Sequence, residues 1–317
     1  MKNKILIAVF IQVVVLACKT NQLIVKDLTI SDESFNFLVV GDWGRDGDLG
    51  QREVAQQMNK VGKIIDPEFV ISTGDNFYDA GVASIDDPIW NRSFENIYVG
   101  GGLSKEWFVV LGNHDYKGNP QAQVDYTKKS RRWQMPARYF TLSRKVEDGI
   151  SARFVFLDTS PFVKKYHKES EKYADLTKQD TKKQLKWLDS VLTVSAEKYT
   201  FVVGHHPIFS TGMSHGDTPE LIELVKPILE KHKITAYFCG HDHDMQHQTQ
   251  NGSEIEYFVS GAGSDVRKGV TKRAGTKYAE ATHGFAAVSL TAEQMKLQFI
   301  DYKGVVKYSF QKNLTGN

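Results

Sequence analysis

Five places in the sequence combine a glycine with residues that carry metal-binding side chains, and each follows a short apolar run. They are Gly41-Asp42-Trp43-Gly44, Gly74-Asp75-Asn76, Gly112-Asn113-His114-Asp115, Gly204-His205-His206 and Gly240-His241-Asp242-His243. The side chains supply carboxylate and amide oxygens together with imidazole nitrogens. This mixture suits borderline divalent metals and ferric iron. The sequence has no cluster of cysteines, which argues against a structural zinc site.

The five motifs can meet in space although they are far apart along the chain. In open α/β sheets, ligands bind outside the carboxyl ends of the strands, and a glycine there lets the backbone turn sharply. One Gly-Asp pair alone is more often a simple turn, but five such strand ends are not a coincidence. A carboxylate can bridge two metals ~3.5 to 4 Å apart, and such pairs clamp the oxygens of a phosphoryl transfer. The sequence therefore predicts a paired metal site.

The elements that must position these residues follow from hydrophobic periodicity. Short apolar runs alternate with amphipathic stretches from Phe35 onward, which is typical of an α/β sheet protein. Helices are predicted over Gln51 to Ile65, Asp87 to Ile97, Thr181 to Leu192 and Pro219 to His232, with Asp180 and Thr218 as N-caps. Three runs between Gly284 and Phe310 predict an antiparallel meander.

Composition excludes several classes of protein. With 317 residues, 41% hydrophobic and 25% charged, the chain can bury a large core and is neither disordered nor fibrous. The formal net charge of +2 gives no indication of a nucleic-acid partner. Two cysteines do not make a disulfide framework.

The N-terminus predicts export. Lys2 and Lys4 precede an apolar run from Ile5 to Ala17 that is too short to span a bilayer, so residues 1–17 are expected to be a signal peptide. The ending Val15-Leu16-Ala17-Cys18 resembles the lipobox of bacterial lipoproteins. Cys18 is then the expected lipid attachment site, and residues 18–34 are the expected tether. This lipid anchor would be the only contact of the protein with a membrane. The alternative is an ordinary signal peptide followed by an incidental cysteine.

From Phe35 to Phe310 the sequence resembles the metallophosphoesterases, and within them the small purple, tartrate-resistant acid phosphatases. The marker is Gly74-Asp75-Asn76-Phe77-Tyr78, with a tyrosine three residues after the expected bridging aspartate. The resemblance implies one catalytic domain over residues 35–312. Its implied fold is α/β, two packed mixed β-sheets flanked by helices.

The resemblance also implies roles for single residues. Ferric iron would be held by Asp42, Asp75, Tyr78 and His243, and a divalent iron, zinc or manganese ion by Asp75, Asn113, His205 and His241. His114 and His215 would bind phosphate and protonate the leaving group, while Asp115 would orient a histidine and His206 would pack beside the site. The implied activity is hydrolysis of phosphate monoesters by a metal-bound hydroxide. Small phosphomonoesters are the expected substrates, with phosphoproteins as a further class.

Three alternatives stay open at this point. One is a phosphodiesterase, nucleotidase or protein phosphatase of the same superfamily, although Tyr78 argues against most of these. Another is a non-catalytic surface-binding protein. The third alternative concerns whether the lysine-rich segment Pro161 to Gln179 affects activity. This segment is expected to be an exposed loop. The resemblance implies that it overhangs the site and restrains activity until cleaved, whereas a solvated insertion would have no effect.

Overall fold

The structure is a computed structural model that describes residues 25–31, 33–267 and 269–314. Within these residues the chain forms two seven-stranded sheets. The strands are β1 Phe35–Val40, β2 Phe69–Ser72, β3 Glu106–Val109, β4 Trp133–Gln134, β5 Phe140–Glu147, β6 Ile150–Phe156, β7 Tyr199–Val203, β8 Ala236–Cys239, β9 Met245–Gln248, β10 Glu256–Ser260, β11 Thr276–Glu280, β12 Gly284–Leu290, β13 Gln294–Asp301 and β14 Val306–Asn313.

Short and long helices connect these strands. The α-helices are α1 Gln51–Ile65, α2 Pro120–Tyr126, α3 Lys164–His167, α4 Thr181–Thr193, α5 Pro219–Leu224 and α6 Lys226–Lys231. Trp90–Glu95 forms a π-helical turn, and single 3₁₀ turns occur at Gly101–Leu103, Asp115–Lys117, Ser160–Phe162 and Leu176–Lys178.

Both sheets are mixed. The first has the order β14-β13-β12-β1-β2-β3-β4, in which β1 to β4 are parallel and β12 to β14 form the predicted antiparallel meander. The second has the order β11-β9-β10-β8-β7-β6-β5 with a parallel centre. The expected fold of two packed mixed sheets flanked by helices is confirmed.

Aromatic side chains fill the space between the sheets. Phe37 of β1 is fully buried, and its ring lies 5.3 Å from that of Phe154 and 5.8 Å from that of Phe201, both in the second sheet. Alternate residues of the second sheet face the other way. Val202 of β7 and Tyr237 of β8 therefore pack in a second apolar cluster with residues of α4 and α5. This period of two is why continuous apolar strands can serve both layers.

Two of the four predicted helices need correction. The structure confirms α1 and α4, and the Asp180 carboxylate caps α4 by accepting from the Lys183 N–H at 2.9 Å. The predicted helix over Pro219 to His232 is broken at Val225, because Pro227 has no N–H for a continuous helix. In the stretch from Asp87 to Ile97, the helix is the short π-helical turn given above.

The segment from Pro161 to Gln179 is not the exposed loop that its lysines indicated. It contains α3 and two 3₁₀ turns, and it buries Tyr166, Tyr173 and Leu176 in the main core. The rings of the two tyrosines lie 4.8 Å apart. Three apolar anchors spaced irregularly among charged residues give no periodic signal, so sequence analysis overlooked them.

The described part of the expected tether packs against the domain. Val25 is buried, and the Lys26 N–H donates to Gly304 at 2.9 Å beside β14. The expected signal peptide, residues 1–17, and Cys18 lie outside the described residues. Among the described helices, none has the length and apolar character needed to cross a membrane.

We expect Phe37→Ala to lower the free energy of unfolding by about 3 to 5 kcal/mol, because it opens a cavity where both sheets meet. Val194→Ala is the control, since this side chain is 70% exposed and its loss should change stability by less than ~0.5 kcal/mol. Urea unfolding followed by tryptophan fluorescence measures both. Equal destabilisation by the two substitutions would contradict the central role of Phe37.

Candidate metal centre

The expected ligands meet where strands of both sheets end. Asp42 follows β1, Asp75 follows β2 and Asn113 follows β3, while His205 follows β7 and His241 follows β8. All seven expected ligand residues are buried, with exposed fractions from 0% to 8%. The structure therefore brings the complete set into one crevice between the sheets.

Three oxygen and nitrogen atoms form a first group around the Tyr78 hydroxyl. This hydroxyl lies 3.0 Å from Asp42 Oδ1, 3.1 Å from Asp75 Oδ2 and 3.0 Å from His243 Nε2. One hydroxyl proton cannot satisfy three acceptors at once. A cation among these atoms would interact with all of them.

A second group surrounds Nε2 of His205. This atom lies 3.1 Å from His241 Nδ1, 3.3 Å from Asn113 Oδ1 and 3.5 Å from Asp75 Oδ2. Asp75 Oδ2 belongs to both groups. It is therefore placed as the expected bridge would be.

Backbone carbonyls fix which histidine nitrogens face the crevice. His205 Nδ1 donates to Thr73 O at 2.9 Å, and His243 Nδ1 donates to Asp265 O at 2.7 Å. Because a carbonyl oxygen accepts only, the Nε2 atoms of both rings keep their lone pairs for the crevice. The donor set thus fits two metal ions in its chemistry as well as in its positions.

Buried negative charge also demands a cation here. Burial raises the pKa of Asp42 well above its usual range, and the nearby Asp75 carboxylate raises it further. Burial likewise raises the pKa of Tyr78, with Asp42 and Asp75 adding to the effect. Positive ions would reverse both shifts, since they favour the carboxylate and the phenolate.

The backbone at the centre adopts a strained conformation. Asp42, Asp75 and His241 have φ values of 59°, 49° and 71°, in the left-handed region that residues other than glycine rarely enter. A side chain on Gly112 would overlap the Asp75 carboxylate. The glycines of the motifs thus permit the close approach that the carboxylate needs.

Asp115 does not orient a histidine, as the sequence had led us to expect. Its buried carboxylate accepts hydrogen bonds from the Asn76 N–H at 3.1 Å, the Gly112 N–H at 2.8 Å and the Gln123 amide at 2.8 Å. These bonds tie the turn after β2 to the turn after β3. Asp115 therefore positions the loops that carry Asp75 and Asn113.

His206 lies beside the centre with both ring nitrogens engaged. The Thr159 hydroxyl oxygen accepts the backbone N–H groups of His205 at 3.1 Å and of His206 at 3.0 Å. Both lone pairs are then used, so the hydroxyl proton goes to His206 Nδ1, also at 3.0 Å. His206 Nε2 lies 2.9 Å from the Tyr166 hydroxyl. His206 packs 4.4 Å from the His241 ring and links α3 to the centre.

The two expected catalytic histidines lie at the mouth of the crevice. The His114 ring packs 4.5 Å from the Tyr78 ring, and its Nδ1 donates to Asp79 O at 2.7 Å. On the other side, the exposed His215 ring stacks on His241 with centroids 4.0 Å apart. The Asp242 carboxylate holds this loop by accepting from the His215 N–H at 3.1 Å.

A model of the calcineurin-like phosphoesterases matches residues 35–245, which carry all seven expected ligands. The chain belongs to this family. Purple acid phosphatase 4 of Arabidopsis thaliana is 39% identical over 86% of this chain and 82% of its own. Tartrate-resistant acid phosphatase type 5 of Homo sapiens is 32% identical over 86% of this chain and 88% of its own. The expected resemblance to purple acid phosphatases is confirmed.

Solved structures share the fold. GAP50, described as the anchor in the inner membrane complex of Plasmodium, gives a TM-score of 0.79 at 27% identity. The match covers 89% of this phosphoesterase and 90% of GAP50.

Sequence analysis overlooked three cations of this phosphoesterase. The Lys117 ammonium lies 3.2 Å from His114 Nε2, and Arg267 NH1 lies 2.6 Å from His215 Nε2. Lys165 lines the cavity beside His215. Lys117 lies three residues after His114 of the third motif, which is a weak signal, and no sequence pattern marks the other two.

We expect Asp115→Asn to weaken metal binding about 10- to 100-fold, because the amide would present a donor to backbone donors and loosen the two ligand loops. Metal content after dialysis against a chelator series measures the change. Asp125→Asn is the matched control, since among the described residues that carboxylate accepts a hydrogen bond only from the Gln121 side chain. Unchanged metal retention in Asp115→Asn would contradict the positioning role.

Proposed function

We propose that the protein is an acid phosphatase that hydrolyses phosphate monoesters with two metal ions. The observation that carries this proposal is the convergence of seven buried donor residues on two adjoining positions, with Asp75 Oδ2 common to both. We assign ferric iron to the group around Tyr78 and a divalent iron, zinc or manganese ion to the group around His205. The purple acid phosphatase relatives support this assignment.

When bound, the two ions supply Lewis-acid polarisation of the phosphoryl oxygens and an acidified water as nucleophile. The side chains of this chain hold the ions and exclude bulk water, since the ligands are buried. Asp115 and the strand-end glycines fix the loops. The open mouth between His114 and His215 admits the substrate.

His114 is the better candidate for protonating the leaving alcohol. Its Nδ1 donates to the Asp79 carbonyl at 2.7 Å, so the transferable proton is the one that the protonated ring carries on Nε2. The Lys117 ammonium lies 2.9 Å from Nδ1 and 3.2 Å from Nε2, and it disfavours that protonated form. Burial lowers the pKa of His114, the Asp75 carboxylate opposes this, and the Lys117 ammonium adds to the lowering. A bound phosphate would raise the pKa again, because its charge favours the imidazolium.

His215 is assigned to phosphate binding. Partial desolvation of the ring, followed by Arg267 and Lys165, lowers its pKa to about 4, so the ring is neutral near pH 6 before substrate arrives. Its stacking on His241 places it beside the second group of ligands. Such a ring can donate one hydrogen bond to a phosphoryl oxygen.

The alternatives from sequence are less well supported. A non-catalytic role has a relative in GAP50, which is described as an anchor. This chain keeps a full donor set, and backbone carbonyls fix the tautomers of His205 and His243, which favours a site that binds metal. Diesterase, nucleotidase and protein phosphatase activities are tested directly by substrate comparison.

We also propose that the protein is exported, with residues 1–17 as signal peptide and Cys18 as the lipid attachment site. Residues 35–312 then form the catalytic domain. Metabolic labelling with a radioactive fatty acid tests the anchor, and Cys18→Ser should abolish the label.

We expect the iron-loaded enzyme to hydrolyse p-nitrophenyl phosphate and to show a visible charge-transfer band from Tyr78. Tyr78→Phe should remove the band yet keep much of the activity, because Asp42, Asp75 and His243 remain as ligands. Tyr98→Phe is the control, since that buried tyrosine lies outside the centre. A colourless iron-loaded wild type would refute the iron assignment, and an enzyme without phosphatase activity would refute the function.

The pH profile should be bell-shaped with its maximum below neutrality. Activity falls as pH rises through the pKa of His114, because the acid loses its proton. Lys117→Met removes a positive charge, raises that pKa and should move the basic limb to higher pH, whereas Lys117→Arg should leave it in place. The pH dependence of kcat/KM measures the limb, and no shift in Lys117→Met would contradict His114 as the acid.

A further inference from the structure

The first strand and the last strand of the first sheet meet at one end of that sheet. Val39, next to the end of β1, pairs with Ala286 of β12. One residue earlier in β12, Phe285 pairs with Ile300 of β13, and Ile300 pairs with Val306 at the start of β14. The start of β14 therefore lies level with the end of β1, where the first ligand loop begins. We call this side of the domain the catalytic edge.

The described part of the tether pairs with β14 at the catalytic edge. The Lys26 N–H donates to Gly304 O at 2.9 Å, and the Lys26 carbonyl accepts from the Val306 N–H at 3.2 Å, in parallel pairing. Farther from this edge, the buried Gln298 side chain accepts from the Thr29 N–H at 3.0 Å and donates to Thr29 O at 2.7 Å. The segment thus runs away from the catalytic edge, and the chain that precedes it joins the domain at that edge.

The length of chain before this segment limits how far the domain can lie from an anchor. Residues 19–24 separate Cys18, the proposed lipid attachment site, from the buried Val25. The seven residue steps from Cys18 to Val25 reach at most about 25 Å when fully extended. A compact domain of this size is roughly 50 Å across. A lipid on Cys18 would therefore hold the catalytic edge closer to the bilayer than the opposite edge.

Packed contacts connect the place where the tether docks with the metal centre. Beside Gly304, the Tyr302 N–H donates to His283 O at 3.0 Å, and the two rings lie 5.5 Å apart. A side chain on Gly50 would overlap the His283 ring. The loop that ends at Gly50 begins with Arg45, whose guanidinium lies 3.8 Å from the centroid of the Tyr78 ring. The docked tether and the centre therefore belong to one continuous side of the domain.

Two loops at the catalytic edge present apolar side chains to the outside. Leu49, in the loop between Arg45 and Gly50, is 54% exposed. Met213, two residues before His215 in the loop after β7, is 70% exposed. Apolar side chains gain free energy when they leave water for an apolar environment, and a bilayer interface supplies one. The chemistry of these two positions therefore fits contact with lipid.

We propose that the catalytic edge faces the lipid bilayer, with Leu49 and Met213 in contact with its surface. This inference rests on the proposed lipid anchor at Cys18, and it adds a second membrane contact to the one expected from the sequence. The proposed phosphatase activity does not depend on it. The mouth between His114 and His215 opens at the same edge, so phosphate esters enter the centre from the membrane surface.

Cysteine labelling on vesicles tests the orientation. Leu49→Cys and Met213→Cys are made in the full-length lipidated protein, bound to phosphatidylcholine vesicles and treated with a maleimide that carries a large polyethylene glycol. Val194→Cys is the matched control, because Val194 is also 70% exposed and precedes β7 at the opposite edge. The native Cys239 is buried and should not react. We expect severalfold slower labelling at positions 49 and 213 than at 194, and equal rates after detergent dissolves the bilayer.

Further measurements separate this inference from the proposals on which the article has already settled. Equal labelling of all three cysteines on protein that floats with the vesicles would overturn the orientation alone. Wild type that does not float, or Cys18→Ser that floats equally well, would overturn the anchor and the orientation with it. Absence of p-nitrophenyl phosphate hydrolysis by the wild type in detergent would overturn the proposed function alone.

A longer tether tests the cause of the orientation. Inserting about 20 Gly and Ser residues after residue 24 adds an r.m.s. reach of roughly 25 Å. We expect this insertion to raise the labelling rate of Leu49→Cys on vesicles toward that of Val194→Cys. Unchanged protection of Leu49→Cys in the lengthened chain would refute the short tether as the cause.

Discussion

The carboxylates of Asp42 and Asp75 lie side by side in a buried crevice, and their repulsion is the constraint on which the centre depends. Burial disfavours either charge, and the Asp75 carboxylate raises the pKa of Asp42 further. One backbone N–H donates to each carboxylate, from His241 to Asp42 at 3.0 Å and from His114 to Asp75 at 2.7 Å. The Tyr78 hydroxyl adds a single proton, and the lone pairs of His205 and His243 point inward. Positive ions resolve the conflict. Without cations the two buried carboxylates are therefore in an unfavourable arrangement, which bound cations would stabilise.

The two sheets keep this arrangement from relaxing. Three expected ligands, Asp42, Asp75 and His241, have left-handed backbones, and each follows a strand whose side chains are buried on both faces. A strained turn persists when the structure on both sides of it is rigid. Asp115 adds a second restraint by linking two of the turns. The packing that makes the core rigid therefore also holds the three ligands in the positions that the centre requires.

Much of this could be predicted from the sequence, for reasons that the structure makes clear. Ligands such as Asp42 and His205 follow apolar runs, so strand topology alone brings them together. The role of Asp115 was missed because it depends on backbone N–H groups, which have no signature in residue type. Lys165 was overlooked for a different reason. It lies in a lysine-rich segment, and only the folded position of Tyr166 and the contacts of that tyrosine distinguish it from a solvated charge.

The position of β1 has a consequence for synthesis of the chain. This strand comes first among those of the sheet, yet it pairs on one side with β12, with Phe35 opposite Leu290. A nascent chain therefore cannot complete the central pairing of the first sheet until its last portion has left the ribosome. Asp42, directly after β1, is placed late for the same reason. The position of Asp42 in the folded chain therefore depends on a strand that is synthesised long after it.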